Sequence, residues 1–434
     1  MIQNALVFSS LVLMGLAPSF GYMMVGRTVH GYAYGAITGA VPVYVSEVCQ
    51  PKIRSMVGGA AGTFYCFATA SVFTLGALVP WRWLLLICAA FPLVNFIMLL
   101  FAVESPTWYL LKGRHEDAFQ VLNKLRGNQK VAEKEYGSLL QNFKKRQEMM
   151  AQAKDVPKWR ILFDLMLEPT FVRPLFSLIF IVVFGYHVSG LAPLLLYMNK
   201  IILQTGATSN PYWISASLQL SRAFLVFCSS LYLPLFPRRA LISVCLVVMA
   251  VANLVIGLSV QFDFSLILGT DHVFIQWLPI IGIFLLYIGM ASGQSHVIVC
   301  LQGELLPSFG RAIGSGVLGV FDAAVLFLVA KFLPDLDKAI GLGNCFLLFS
   351  GCCLTLVVFI WWFVPETRGL SLEQVEEYYR VLCYGKGYDD DKLSKRWDRL
   401  SVYDQISIWG EEITADQSAE IISLSSLTRR KSRI

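Results

Sequence analysis

Charge is scarce in this 434-residue chain: Asp, Glu, Lys and Arg make up 15% of it, against 56% hydrophobic residues and a mean hydropathy of +0.61. So few charges cannot give a chain of this length a wet surface, which excludes the soluble classes. Histidine occurs five times, and the ten cysteines show no Cys-x-x-Cys spacing and no histidine at ligand spacing. No metal centre or disulfide framework is therefore expected, and the cysteines read as core residues. No Asn-x-Ser/Thr site occurs, and Met1 leads almost directly into an apolar run with no basic n-region or cleavage site of a signal peptide. Phosphate loop, metal cluster and nucleophile triad are all missing, so the chain does not read as an enzyme and no cofactor is expected.

What is present is a series of apolar runs long enough to cross about 30 Å of hydrocarbon at about 1.5 Å per residue. Only helices or closed barrels satisfy their own backbone in lipid, and no run shows the alternation of a membrane barrel. The expectation is an all-α polytopic membrane protein with ten transmembrane helices, near 2–18, 20–46, 55–78, 83–103, 174–202, 212–235, 239–261, 274–303, 311–333 and 341–364. This gives an incomplete four-helix bundle over 1–103, a polar hinge with amphipathic helices over 104–172, a six-helix bundle over 173–364 and a tail over 365–434. Amphipathic helices are expected near 113–126 and 131–153. The tail is polar, with an acidic Asp389-Asp390-Asp391 and a basic end that would remain disordered or dock on anionic lipid.

If the hinge is cytoplasmic, all but six of the 35 Lys and Arg residues lie on its side or in the tail, and an even number of spans puts both termini in the cytoplasm. The net charge of +6 is this asymmetry, and it implies a lipid bilayer rather than nucleic acid as partner. Glu47 to Arg54 and Glu304 to Arg311 share the spacing Glu-x6-Arg, and Glu104-Ser-Pro is matched by Pro365-Glu366-Thr-Arg368-Gly. Each second copy lies about 260 residues after the first, the pattern of a transporter built from parallel repeats. In the second half the motifs follow the fourth and sixth helices, and in the first they follow the second and fourth, so two helices are expected to be missing from the front. Glu47, Arg54, Glu104, Arg238, Arg239, Glu304, Arg311 and Glu366 all fall at cytoplasmic helix ends. Opposite charges there can bridge in one conformation and part in another, which is the behaviour of a gate.

These residues resemble the sugar porter branch of the major facilitator superfamily, closest to the facilitated trehalose and glucose transporters. The resemblance rests on Gly26-Arg27, Val41-Pro-Val-Tyr-Val-Ser-Glu47 with Arg54, Glu104-Ser-Pro-Thr-Trp108, Leu125-Arg-Gly127, Ser189-Gly190, Arg238-Arg239, Glu304 with Arg311 and Pro365-Glu366-Thr-Arg-Gly369. It implies a twelve-helix fold, of which this chain carries ten helices, moving a hexose or trehalose across the plasma membrane by alternating access. Two gate residues of that pattern are replaced here, by Thr107 and Pro234. The substrate positions depart further. Where sugar porters carry a Gln pair and an Asn, Tyr186, His187 and Ala192 stand here; other family amides fall on Gly62, Arg222 and Asp322, and Gln294, Ser295 and His296 replace a proline-rich kink. Tyr186, His187, Arg222, Gln294, His296 and Asp322 are the candidate substrate-binding residues, and an ionisable set in place of neutral amides keeps open a charged or zwitterionic metabolite, or a sensor or remnant that carries no solute.

A charge at the bilayer centre costs about 2.5–3.5 kcal/mol and needs a partner or water. Asp322 lies ~16 Å in from Arg311, Arg222 ~24 Å in from Arg238 and His187 ~21 Å in from Arg173, so the expectation is one central layer with Arg222 paired to Asp322. His296 reads as a packed histidine, and Arg27 and His30 as support between helices.

Overall fold

The computed structural model of the protein describes residues 2–152, 166–204, 210–232, 236–261, 273–307, 310–368 and 372–385, and among them every regular element is helical. The acidic and basic ends of the tail lie outside the described residues, as does the end of the hinge. The helices are α1 (Ile2–Gly15), α2 (Phe20–Val48), α3 (Pro51–Leu78), α4 (Trp81–Leu100), α5 (Pro106–Leu111), α6 (His115–Arg126) and α7 (Gln129–Gln152). They continue with α8 (Pro169–Val182), α9 (Leu191–Gln204), α10 (Pro211–Tyr232), α11 (Arg238–Gln261), α12 (Val273–Gly289), α13 (Ser295–Leu305), α14 (Arg311–Ile340), α15 (Leu342–Phe363) and α16 (Leu372–Tyr384).

Seven helical stretches among the described residues are long and apolar enough to cross a membrane, two of them continuous runs through a break, Pro169–Leu203 and Trp277–Leu305. The expected ten is not reached by that measure. α1 has only 14 residues, while α2 carries Arg27, His30 and Glu47, and α10 carries Gln219, Arg222 and five serines. Boundaries also move: α3 starts at Pro51, where a first-turn proline loses no bond, and α14 runs on through Pro334 to Ile340.

The described residues divide into two compact units, one of 2–58 with 85–152 and one of 59–84 with 166–385. In the first, Met14 of α1 lies under Gly26 of α2, Ser10 Oγ meets His30 Nδ1 at 3.1 Å, and Ala89 of α4 closes a small core with Leu11 and Met14. His30 thus supports packing, whereas Arg27 is exposed. The hinge begins with Ser105 Oγ accepting from the Trp108 N–H at 3.0 Å, which caps α5. Leu110, Ala118 and Phe143 then join α5, α6 and α7 in one core.

In the second unit, α11 packs against α12 and α15 through small residues. With no hydrophobic drive between helices in lipid, close backbone approach and interhelical hydrogen bonds supply the attraction. A Cβ on Gly257 of α11 would sit 2.9 Å from the Gly343 carbonyl oxygen of α15, and the converse distance is also 2.9 Å. About two turns further on, Ser350 Oγ donates to the Ala250 carbonyl at 2.8 Å. α16 is fastened under the same unit: Tyr384 Oη donates to Glu168 Oε1 at 2.5 Å, and Arg173 Nη1 to the Leu382 carbonyl at 3.1 Å. Burial there raises the pKa of the Tyr379 phenol.

Candidate functional site

Two of the long spans are broken midway by π-helical turns, Val183–His187 after α8 and Met290–Gln294 between α12 and α13. Such turns insert one residue into the helical ladder and are frequent at functional sites. Here the two turns face each other. Tyr186 Oη donates to the Ser295 carbonyl at 3.2 Å, and Gln294 Nε2 donates to the Gly185 carbonyl. After the first turn the chain bends at Gly190, whose φ of +87° is costly for any other residue. Asn253 of α11 holds that bend, donating from Nδ2 to the Ser189 carbonyl at 2.9 Å. Freed backbone carbonyls inside the membrane are thereby satisfied by side chains, as a broken span requires.

All six candidate substrate-binding residues lie in this unit, and four are joined through the paired turns. Tyr186 and Gln294 link turn to turn, while His187 Nε2 lies 2.8 Å from Asp322 Oδ1 of α14. The His187 side chain is 6% exposed and the Asp322 side chain 50% exposed, so a buried imidazole is tied to an accessible carboxylate. Gln294 is fully buried and bonded to backbone; it staples the turns. His296 is half-buried, with Nδ1 3.3 Å from Ser229 Oγ, in keeping with a packed histidine.

The expected Arg222–Asp322 pair is not formed. Arg222, 2% exposed, donates from Nη1 to Gln219 Oε1 at 3.0 Å and reaches Cys66 Sγ of α3 from Nη2 at 3.6 Å. Its guanidinium lies over the rings of Tyr65 at 6.0 Å and Tyr287 at 5.8 Å. Gln219 is itself fixed by Tyr287, its Nε2 donating to Oη at 3.0 Å. No carboxylate lies within ion-pair distance of Arg222 among the described residues. Asp322 instead meets His187, which lies within the first π-turn. Gln219, Tyr287 and Asn253 were missed, although Asn253 stands alone in an apolar span, a signal for an interhelical hydrogen bond.

The expected gate residues of the second unit converge. Glu366 accepts from the backbone N–H groups of Arg238 and Arg239, each at 3.0 Å, and so caps the start of α11 with a carboxylate, where the helix dipole favours it. Glu304 accepts from Thr367 Oγ1 at 2.6 Å and lies 3.9 Å from Arg238 Nε. The Arg239 guanidinium donates to the Trp361 carbonyl and lies 4.4 Å over its ring. Arg311 does not pair with Glu304; its guanidinium turns to the Leu306 carbonyl at 3.3–3.4 Å.

In the first unit Glu47 ends α2, the side chain of Arg54 lies outside the described residues, and Glu104 is exposed before α5. Beside Glu104, Tyr44 Oη donates to the Val103 carbonyl at 2.7 Å. The strongest polar contact at this end was not anticipated. Arg126 meets Glu135 through two hydrogen bonds of 2.6 and 2.7 Å and donates from Nη1 to the Val48 carbonyl at 2.8 Å, closing the end of α2. The bonded Glu135 carboxylate raises the pKa of this guanidinium, so it stays charged at any working pH.

Comparison with known proteins bears on the family and the fold. The family model described as sugar (and other) transporter matches residues 1–379. The human solute carrier family 2, facilitated glucose transporter member 6, is 27% identical over 388 residues, covering 85% of this chain and 74% of that protein. The facilitated trehalose transporter Tret1 of Polypedilum vanderplanki is 27% identical over 365 residues, covering 84% and 70%. Among solved structures, the proton:xylose symporter XylE of the major facilitator superfamily aligns with a TM-score of 0.64 at 17% identity, over 87% of this chain and 82% of that one. At that identity the likeness is one of fold.

Proposed function

Because this chain belongs to the sugar transporter family and has the major facilitator fold, we propose that it moves a hexose or trehalose across the plasma membrane by alternating access, with both termini in the cytoplasm. The observation that carries this reading is the facing pair of broken spans, which brings polar side chains and freed carbonyls together midway through apolar helices. Tyr186, His187 and Asp322 are the residues we assign to the solute, their hydroxyl, imidazole and carboxylate suiting a polyol that both donates and accepts. Gln294 holds the first turn through the Gly185 carbonyl, while Arg222 is engaged by Gln219 and Cys66 and His296 by Ser229, away from those three groups. Glu366, Glu304, Arg238, Arg239 and Arg311 are the gating residues of the second half, and Glu47, Arg54 and Glu104 those of the first. Glu304 and Arg238 approach only to 3.9 Å, a loose pair that can part and re-form as the gate opens and closes.

A second reading follows from His187 and Asp322: a titratable pair where sugar porters have amides suits a charged or zwitterionic solute. Exchange assays on the purified chain in proteoliposomes separate the two. Labelled glucose or trehalose is expected to exchange, and competition by amino or carboxylic acids but by neither sugar would favour the second reading.

A further inference from the structure

We infer that Asn253 is a positioning residue: it keeps the first broken span bent at the angle that brings His187 to Asp322, and its bearing on solute movement rests on the transport reading above. In a regular helix the Ser189 carbonyl would accept from the N–H of residue 193. That residue is Pro193, which has no N–H and whose ring crowds the carbonyl four positions back. The break leaves the same carbonyl between two ladders. The Val188 N–H closes the π-turn on the Val183 carbonyl at 2.9 Å, and winding resumes with the Leu194 N–H on the Gly190 carbonyl at 3.1 Å. Ser189 is fully buried, so without a side-chain donor its carbonyl would be an orphan inside the membrane, which a span carries only at a cost. Asn253 is that donor, at 2.9 Å from Nδ2. The Cys353 thiol also lies near the carbonyl, at 3.9 Å, but a thiol is a weak donor.

Both ends of the amide meet the bend. Oδ1, which is buried and has no hydrogen-bond partner, lies where a Cβ on Gly190 would come within 2.5 Å of it. The reverse orientation would set Oδ1 against the Ser189 carbonyl, acceptor against acceptor. α11 itself is packed against α15 through Gly257 and Gly343, so Asn253 stands on a fixed platform. Beyond the bend, α9 is fastened to α14 twice, by Tyr197 Oη on the Ala330 carbonyl at 2.7 Å and by Lys200 Nζ on Asp337 Oδ2 at 2.9 Å. The angle at Gly190 therefore sets where α14, with Asp322, stands relative to the turn that holds His187. The hydrogen bonds of Asn253 go to Ser189 and Cys353 and not to His187 or Asp322, so it acts through the bend.

The test uses the full chain carrying Asn253→Leu, Pro193→Ala or both, read by thermal unfolding in detergent and by exchange of labelled glucose and trehalose in proteoliposomes. Asn253→Leu keeps the volume and removes the donor. It is expected to lower the unfolding temperature by about 2 °C or more and exchange about tenfold or more. Pro193→Ala gives Ser189 a helical donor but leaves Asn253 holding the bend, so its exchange is expected to match that of the unaltered chain. In the double variant the span winds regularly and the carbonyl is satisfied, so the unfolding temperature is expected to recover while exchange stays about tenfold down. A purely structural amide would let the two recover together, and that result overturns the inference. So does a double variant no more stable than Asn253→Leu, or an Asn253→Leu chain that exchanges at the unaltered rate. A further measurement is independent of transport: the coupling between His187→Gln and Asp322→Asn in thermal unfolding is expected to vanish in the double-variant background. If it vanishes while the unaltered chain exchanges neither sugar, the sugar reading fails and the positioning role stands. If it persists there in a chain that exchanges both, the positioning role fails and the sugar reading stands.

Discussion

Arg222 is a cation held inside a membrane bundle by an amide oxygen, a thiol and two aromatic faces. Each cation–π contact is worth about 0.5–2 kcal/mol, of the same order as the about 2.5–3.5 kcal/mol cost of placing the charge there. The site therefore breaks near even, and Arg222→Met should leave folded yield no lower than that of the unaltered chain. A double-mutant cycle with Asp322→Asn should show coupling below about 0.5 kcal/mol, against about 0.5–3 kcal/mol between His187→Gln and Asp322→Asn, measured by thermal unfolding in detergent. A large Arg222–Asp322 coupling would contradict the observed partnership. That His187 and Asp322 lie inside long apolar helices was legible from the sequence, because hydropathy and helix length show it. Which neighbour each meets was not, since that depends on azimuth, and azimuth depends on irregularities such as a π-turn that no residue pattern here announces.

At the scale of the element, the first π-turn makes the residues before it and after it face as no regular helix could. Removing one residue restores regular winding and turns everything beyond it by about 100° relative to the rest. Deleting Phe184 should therefore give a chain that inserts and is recovered in detergent but exchanges no sugar, because His187 is carried away from Asp322. Transport retained after that deletion would show that the turn positions nothing. Most apolar spans and the two hinge helices were readable from hydropathy and helical period, although seven of the expected ten spans qualify among the described residues. The fastening of α6 to α7 and α2 by Arg126 was not, because Glu135 is nine residues away across a turn and Val48 offers only its carbonyl.

The two compact units of the molecule do not follow the order of the chain, since residues 59–84 group with helices that begin at residue 166 and beyond. The repeat pattern predicts the linear halves, but it cannot show which helix commits to which core. The consequence concerns time during synthesis. Cys66 leaves the ribosome 156 residues before its partner Arg222, a delay of about 8–30 s at about 5–20 residues per second. Through that interval α3 crosses the membrane with the face around Cys66 and Ala70 uncovered. A chain halted at residue 200 should thus have a Cys66 that a maleimide modifies about tenfold faster than in the finished protein, where it is 4% exposed. Any factor that shields exposed polar or thiol-bearing faces in the membrane has its longest opportunity on this molecule at that helix, before its partners exist.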